Sequence, residues 1–391
     1  MTFAAVEPGV DLGRHADELR RVHDAVLSGV RPASRPRPVV ARSWQRVLGA
    51  GVAPDGSGRR TALSEAEVQR RRASSPLRHV VEGLFGSLAA AADASQLLVV
   101  VTDADGVILW RRGSVGIRRR ADTLGFAEGA PWTEERVGTN AIGTALAECA
   151  PVQLFSAEHF EQHQHPWFCT ASPVHDPASG ELVGIFDISG PALTLHPAVT
   201  ALVEMAVRLA QATLWDHLQQ RHERLRRSAE PVLAGVRDPL LLVDGHGWVV
   251  QSNGVRAPDR VGAPSATVAQ MVPGVGLCVP EPIGDGWLLR RLEQDSTLEA
   301  SIEDGAPPVL EVRRGGVPWR VPLTRRRAQI LRLLAAAGRE GVTARALSIA
   351  VFGDVGHEVT VRAEISRMRR TLGALVATGP YRLDESVRFL P

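Results

Sequence analysis

The sequence predicts an α+β chain of several domains. Three observations carry this. The chain has 391 residues, more than one ordinary domain. Apolar runs broken by Asp/Gly turns occur twice, over residues 97–110 and 239–250, and read as strand hairpins. Between and after them, apolar residues recur at three- and four-residue spacing, which predicts packed helices. A hydrophobic fraction of 44% supplies enough apolar surface for real cores.

The expected organisation runs as follows. A helical segment covers 1–75, an antiparallel-sheet domain 76–215, a helical linker 216–230, a small sheet domain 231–318 and a terminal module 319–391. In the first segment, Arg31 to Pro38 is Pro-rich and extended. A short helix from Pro38 to Gly51 then carries Trp44, Val47 and Leu48 on one side. Ser64 and Glu67 have the spacing of a capping box, and Arg70-Arg71-Arg72 reads as a solvated helix end.

In the second segment, Val80–Ala92 reads as an amphipathic helix and Leu97–Thr102 as a buried strand. Asp103–Gly106 is a tight turn and Val107–Trp110 the returning strand. Residues 152–155, 169–174 and 182–188 give three further strands. A long helix is expected over Pro197–Arg227. Val199, Leu202, Met205, Ala206, Leu209, Ala212 and Thr213 form its apolar stripe, suited to its own domain or to a second copy of the helix. Residues 239–250 then repeat strand, Asp-Gly turn, strand.

The terminal module is the most specific stretch. Thr324 caps a helix 325–337 and Thr343 caps a helix 344–352, with Gly338 and Gly341 between them. In the third helix, Val361, Ile365, Met368 and Leu372 form one apolar stripe. The other faces carry Arg362, Ser366, Arg367, Arg369 and Arg370, with Thr360 at the start, donors that suit phosphates and guanine edges. Gly379 to Leu383, with Arg382, sits where a hairpin would follow. Residues 320–391 hold thirteen arginines and six carboxylates, a net +7 in a chain whose total is +2. A basic end on a mildly acidic body predicts nucleic-acid binding.

All 45 basic residues are arginine. Without lysine there is no Walker A phosphate ligand and no Schiff base, so ATP-driven and pyridoxal chemistry are disfavoured. Three widely spaced cysteines make neither a disulfide framework nor a zinc motif. No apolar run is long enough to span a membrane, and the N-terminus is not a signal peptide, so a cytoplasmic protein is expected. No Ser/His/Asp order, carboxylate pair or HExxH motif points to an enzyme, and no cofactor or metal is expected.

Two segments could still line a ligand. In Glu135–Leu146, Thr139, Asn140 and Thr144 open a helix, and both ligand lining and plain capping are open. In Glu158–Cys169, His159 and His163 are four apart, with His165 and Cys169 near. On a helix the pair would share a face, but Pro166 interrupts it and surface histidines are the expectation. Cys169 reads as a structural or a redox-sensing thiol.

Residues 365–372 followed by 380–383 resemble the third helix and wing of OmpR/PhoB-type winged-helix domains, over residues 320–391. That resemblance implies a helix in the major groove and a wing on the backbone. This chain departs in having no lysine and a short link between helix and wing. Trp44, Gly51–Asp55, Trp132–Thr144, Ala157–Phe160 and Cys169–Asp187 resemble the GAF-type sensor region of acetoin-catabolism-type bacterial activators, over residues 36–215. A GAF-like sensor, a second small PAS/GAF-like sheet domain and a C-terminal winged helix-turn-helix are then expected. Trp132, Thr139, Asn140, Thr144, Cys169, Ser172 and Asp187 become the expected ligand-binding residues. The function implied is a one-component, ligand-responsive transcription regulator, homodimeric, acting on double-stranded DNA without ATP or a sigma-54 ATPase. Its other partners would be a small-molecule effector and RNA polymerase. The competing reading is a ligand- or redox-responsive adaptor whose terminal module binds a protein.

Overall fold

A computed structural model describes residues 3–56, 61–236, 238–266, 268–272, 275–290, 298–313 and 319–390, without the side chains of 89–94 and 319. The chain divides into two units, Met1–Leu218 and Gln219–Pro391.

The first unit opens with helices α1 (Leu12–Leu27), α2 (Pro38–Gly49), α3 (Glu65–Ser74) and α4 (Val81–Ala94). Strands β1 (Leu98–Thr102) and β2 (Ile108–Arg112) form the expected hairpin. Helices α5 (Val115–Asp122), α6 (Glu134–Val137) and α7 (Ala141–Glu148) follow. Then come β3 (Val152–Phe155), β4 (Trp167–His175), β5 (Leu182–Pro191) and helix α8 (Ala198–Leu233). The sheet is antiparallel with order β2-β1-β5-β4-β3.

Both sheet faces are covered, which explains the unbroken apolar run of β1. On one face Val99, Val101, Phe168, Phe186 and Ile188 pack with Leu84 and Leu88 of α4 and Val203, Val207 and Leu214 of α8. On the other, Leu98, Val100, Ala171 and Ile185 pack with Val40, Trp44 and Val47 of α2, Ile142 and Ala145 of α7, and Trp132.

Of the Arg70–Arg72 run, expected as a solvated helix end, Arg70 is exposed but Arg71 and Arg72 are half-buried. Arg71 binds Asp103 at 2.6 Å and Asp105 at 2.9 Å, and Arg72 binds the Leu109 carbonyl at 2.7 Å and Glu128 at 2.7 Å. These bonds fasten α3 to the β1–β2 hairpin. Ser64 does cap α3, accepting from the Glu67 N–H at 3.3 Å. The stripe expected on the long helix also divides. Val199 and Ala206 face the sheet, whereas Met205 and Leu209 are exposed.

The second unit begins within α8. Strands β6 (Leu240–Asp244) and β7 (Val249–Asn253) form the second hairpin, followed by β8 (Gln270–Val272) paired with β9 (Gly276–Cys278). Strands β10 (Glu281–Ile283) and β11 (Gly286–Arg290) complete an antiparallel sheet of order β10-β11-β6-β7. Next come β12 (Leu298–Glu303), β13 (Val309–Arg313), β14 (Trp319–Pro322) and helices α9 (Arg325–Ala337), α10 (Ala344–Phe352) and α11 (Glu358–Leu372). The short β15 (Val376–Ala377) pairs with β16 (Arg382–Leu383), and β17 (Val387–Phe389) lies parallel to β12.

The third sheet has order β14-β13-β12-β17. Leu298, Ala300, Leu310 and Val312 of this sheet share one core with Ile330, Leu334, Leu347, Val361, Ile365, Met368 and Leu372 of the three helices. Strands β12 and β13 precede residue 319 in sequence, yet they pack as part of this terminal core. Thr324 and Thr343 cap α9 and α10, accepting from Arg327 at 3.3 Å and Ala346 at 3.2 Å. Gly341 has φ +71°, and a Cβ there would stand 2.8 Å from the Tyr381 carbonyl oxygen. Only glycine lets Val342 bridge to Tyr381 and join the β15–β16 hairpin.

Candidate functional site

In the first unit, the sheet face under α7 holds a buried carboxylate. Asp187 lies in mid β5, opposite Val100 of β1 and Ala171 of β4. One oxygen, Oδ2, accepts from the Ser189 hydroxyl at 2.6 Å. The other, Oδ1, is buried with no partner among the described residues. Burial raises its pKa from 3.8 to about 7. Cys169 stands opposite Ser189 and shares this face with Ala171. Burial, and then Asp187, push its thiol well above the ordinary range, so it is not an activated thiolate.

The remaining expected ligand residues are placed differently. Asn140 caps α7: its Oδ1 accepts from the Gly143 N–H at 2.8 Å and its Nδ2 donates to the Gly138 carbonyl at 2.9 Å. The hydroxyls of Thr139 and Thr144 gather on Ser43 Oγ, at 2.7 and 3.3 Å. Ser43 donates to Glu134 at 2.5 Å, and Arg46 binds the same carboxylate at 2.6 and 2.8 Å. This knot ties α2 to α6 and α7 and engages the hydroxyls of Thr139 and Thr144, while the side chain of Asn140 is taken up by its own cap. Trp132 is buried against Phe126, ring centroids 4.5 Å apart. Ser172 falls on the opposite sheet face from Asp187, because strand neighbours alternate. The geometry therefore brings together Asp187 and Cys169, with Ser189 added. Sequence reasoning passed over Ser189, although its two-residue spacing from Asp187 puts both on one strand face.

The histidine cluster is not a surface feature. Residues 156–158 and 162–164 are short 3-10 turns, not one helix, so four-residue spacing does not align His159 with His163. His159 is fully buried, its Nδ1 2.9 Å from the Ser156 carbonyl, and burial lowers its pKa to about 4. His165 packs edge-on to His23 at 4.8 Å, and burial lowers its pKa to about 3. Only His163 is exposed. Among the described residues no group of three or more His, Cys, Asp or Glu could hold a metal ion.

In the second unit, α11 buries Val361, Ile365, Met368 and Leu372, the stripe expected from spacing. It exposes Arg362, Ser366, Arg367, Arg369 and Arg370, with Thr360 and, on β16, Arg382 half-buried. Arg362 pairs with Glu358 at 3.3 Å. Arg367 binds Glu364 at 2.6 Å, and Arg327 of α9 binds the other oxygen at 2.9 Å. Among the described residues, Arg369 and Arg370 have no ion pair. Ser348 fixes the entry to α11 by donating to the Asp354 carbonyl at 2.6 Å and accepting from the His357 N–H at 3.1 Å. The Glu364 clasp was legible only as helix spacing, since its second arginine comes from another helix.

Comparison with known proteins identifies the class. Residues 18–210 match the family model of the MimR N-terminal domain. The chain is 30% identical over 230 residues to the acetoin dehydrogenase operon transcriptional activator AcoR of Bacillus subtilis, covering 58% of this chain and 38% of that one. It is 29% identical over 198 residues to the propane 2-monooxygenase operon transcriptional activator MimR of Mycolicibacterium smegmatis, covering 49% of this chain and 33% of that one. The chain thus spans roughly a third of the length of these two activators. These two relatives are transcriptional activators, of the acetoin dehydrogenase and propane 2-monooxygenase operons.

A longer match fixes the family. Over 389 residues the chain is 31% identical to the uncharacterized 47.3 kDa protein in the thcA 5′ region of Rhodococcus erythropolis, covering 97% of this chain and 72% of that one. The chain belongs to the family of that protein. No helix among the described residues is long and apolar enough to cross a membrane.

Proposed function

We propose that this chain is a one-component, ligand-responsive transcription regulator that binds double-stranded DNA through residues 298–390. The observation that carries the reading is α11, with a wholly buried apolar stripe on one side and an exposed arginine face on the other. Joined to α9, α10 and the β15–β16 hairpin, it supports a winged helix whose third helix enters the major groove. Arg369 and Arg370 are the first DNA contacts, Arg362, Ser366 and Thr360 their neighbours on the helix, and Arg382 the wing contact. Arg367 contacts DNA only when it leaves Glu364.

The effector binds in the first unit under α7, where Asp187 offers a hydrogen bond. A group with a pKa of about 7 in an apolar surround favours a small uncharged ligand. The strand order β2-β1-β5-β4-β3 supports a GAF-like sensor, and β7-β6-β11-β10 repeats the first four positions of that order, supporting a PAS/GAF-like second sheet. The ligand acts by binding one DNA-binding state more tightly than the other. A sequence without lysine supports action without an ATPase, on ordinary promoters, by recruiting RNA polymerase or occluding it as a homodimer.

The deciding experiment measures binding of the full chain to its own upstream DNA across a salt series. Specific binding whose logarithm falls linearly with log salt supports the reading. Binding no tighter to upstream DNA than to random duplex, with salt-insensitive capture of a protein partner, would transfer the module to the adaptor reading.

A further inference from the structure

Helix α11 presents more than arginines to solvent. Val359, in its first turn, is 76% exposed, more than any other large apolar side chain among the described residues. Folding does not account for it. A β-branched side chain is a poor helix former, and here no packing offsets that cost. Ala363, one turn on, is exposed too.

Helix geometry orders this face. Each residue turns the helix by about 100°, so every position can be set against the buried line Val361, Ile365, Met368 and Leu372. Val359, Ala363 and Arg370 lie directly opposite that line, within about 40° of arc. Ser366 borders them on one side and Arg367, held by Glu364, on the other. Arg362 and Arg369 lie about a quarter turn away, together on the flank beyond Ser366. The outermost line of α11 is therefore apolar at its start, small in the middle and cationic at its end. Its arginine flank is a different surface.

We infer that this line reads bases, with Val359 against the methyl group of a thymine and Arg370 on a guanine, while Arg362 and Arg369 hold phosphates. The inference rests on the regulator reading above and names what its third helix selects. The net +7 over residues 320–391 fits this face to a polyanion. A helix laid in the major groove turns its outermost line to the base edges and its flanks to the backbones. Val359 carries no side-chain donor or acceptor, and the apolar group that a base pair shows in that groove is the thymine C5-methyl. The first turn of such a helix is where base edges are met. Ala363 has only a methyl group, which lets the helix approach the groove floor. Arg370 has no ion pair among the described residues, so its donors are available to the O6 and N7 of guanine. From Val359 to Arg370 the helix rises about 16 Å, so thymine and guanine fall within about five base pairs of each other.

The test selects duplexes bound by the full chain from a random-sequence pool, then compares the selected duplex with chemically edited copies. Replacing each thymine in turn by deoxyuridine removes a methyl group and nothing else. At one position it should weaken binding about fourfold, the worth of one buried methyl. In Val359→Ala that loss should shrink to within about twofold, with the salt slope unchanged. Replacing the contacted guanine by 7-deazaguanine, which lacks N7, should weaken the wild type about fivefold or more and Arg370→Ala little. Arg369→Ala should flatten the salt slope by about one unit and leave both base preferences standing. A selected sequence whose thymines all tolerate deoxyuridine would overturn the inference and leave the regulator reading intact. Undiminished discrimination in Val359→Ala would also overturn it, and would give the exposed valine to a protein partner. A pool that yields no preferred sequence sinks the regulator reading, and this inference with it.

Discussion

Asp103 and Asp244 do the same job in the two hairpins. Asp103 Oδ1 accepts from the N–H groups of Asp105 and Val107, at 3.0 and 2.9 Å. Asp244 Oδ1 accepts from those of His246 and Trp248, both at 2.9 Å. In each, the second oxygen is held by a side chain from a helix earlier in the chain: Arg71 of α3 at 2.6 Å and His222 of α8 at 2.9 Å. Each hairpin also breaks register on the first strand beside its turn. The shared Asp-x-x-Gly turn locks the strand crossing, and the basic partner ties a helix to it.

From this follows an acid-side prediction. The fixed donors and His222 hold Asp244 below 3.8 against the cost of burial. A depressed carboxylate contributes stability above its unfolded pKa and loses it as pH falls through the folded one. Asp244→Asn should therefore cost about 1–3 kcal/mol in the second unit at neutral pH. The gap from wild type should narrow below about pH 4. Paired thermal melts at several pH values check this, and a constant gap would refute it.

Asp187 carries the opposite sign. Its folded pKa is raised, so the native state holds the proton that the unfolded chain releases. Stability from this group is complete below 3.8, falls as pH rises, and is fully lost above about 7. Asp187→Asn should gain on wild type by up to about 4 kcal/mol between pH 4 and pH 8, because holding the proton costs about 1.4 kcal/mol for each pH step between those two values. The same variant should weaken the DNA response to effector. Parallel pH curves for the two proteins would show that Asp187 does not titrate in this range.

The segment 135–146 looks in sequence equally like a ligand lip and a helix cap. In the structure its polar atoms bond to each other and to Ser43. Asn140→Ala should cost about 1 kcal/mol in stability, as loss of an N-cap does. Effector affinity, read as the concentration giving half the DNA response, should stay within about twofold, or roughly 0.4 kcal/mol. A large loss of response at unchanged stability would return Asn140 to the ligand.

How much was readable follows from what each residue interacts with. The strand pairs and the α11 stripe were legible, because period alone encodes them and packing agreed with it. Capping by Ser64, Thr324 and Thr343 was legible because a cap is a local bond. Residues whose partners are remote in sequence were not. Thr139 and Thr144 meet Ser43 from 96 and 101 residues away. His159 turns inward through a 3-10 turn that its spacing does not announce. Arg71 meets an aspartate 32 residues on. Ser172 and Asp187 fell on opposite faces because strand register, not composition, decides the face.

The Glu364 clasp leads to the last prediction. Arg367 lies on the exposed side of α11, yet Glu364 holds it at 2.6 Å while also binding Arg327. The two arginines keep the Glu364 carboxyl below its ordinary range against burial, so the pair stays ionised at neutral pH. An arginine held by a carboxylate must break that bond before it reaches a phosphate, and contributes less to counterion release than a free one. Glu364→Gln keeps the shape and removes the charge. The salt slope of DNA binding should then steepen by about one unit as Arg367 becomes available. Arg369→Ala and Arg370→Ala should each flatten it by about one if they contact phosphate. A base-reading arginine should instead cost roughly 1–3 kcal/mol at specific sites only. Arg367→Ala in the wild-type background should change the slope little, and in the Glu364→Gln background should cancel the gain. Equal slopes for all four proteins would place Arg367 outside the DNA contact whether or not Glu364 holds it.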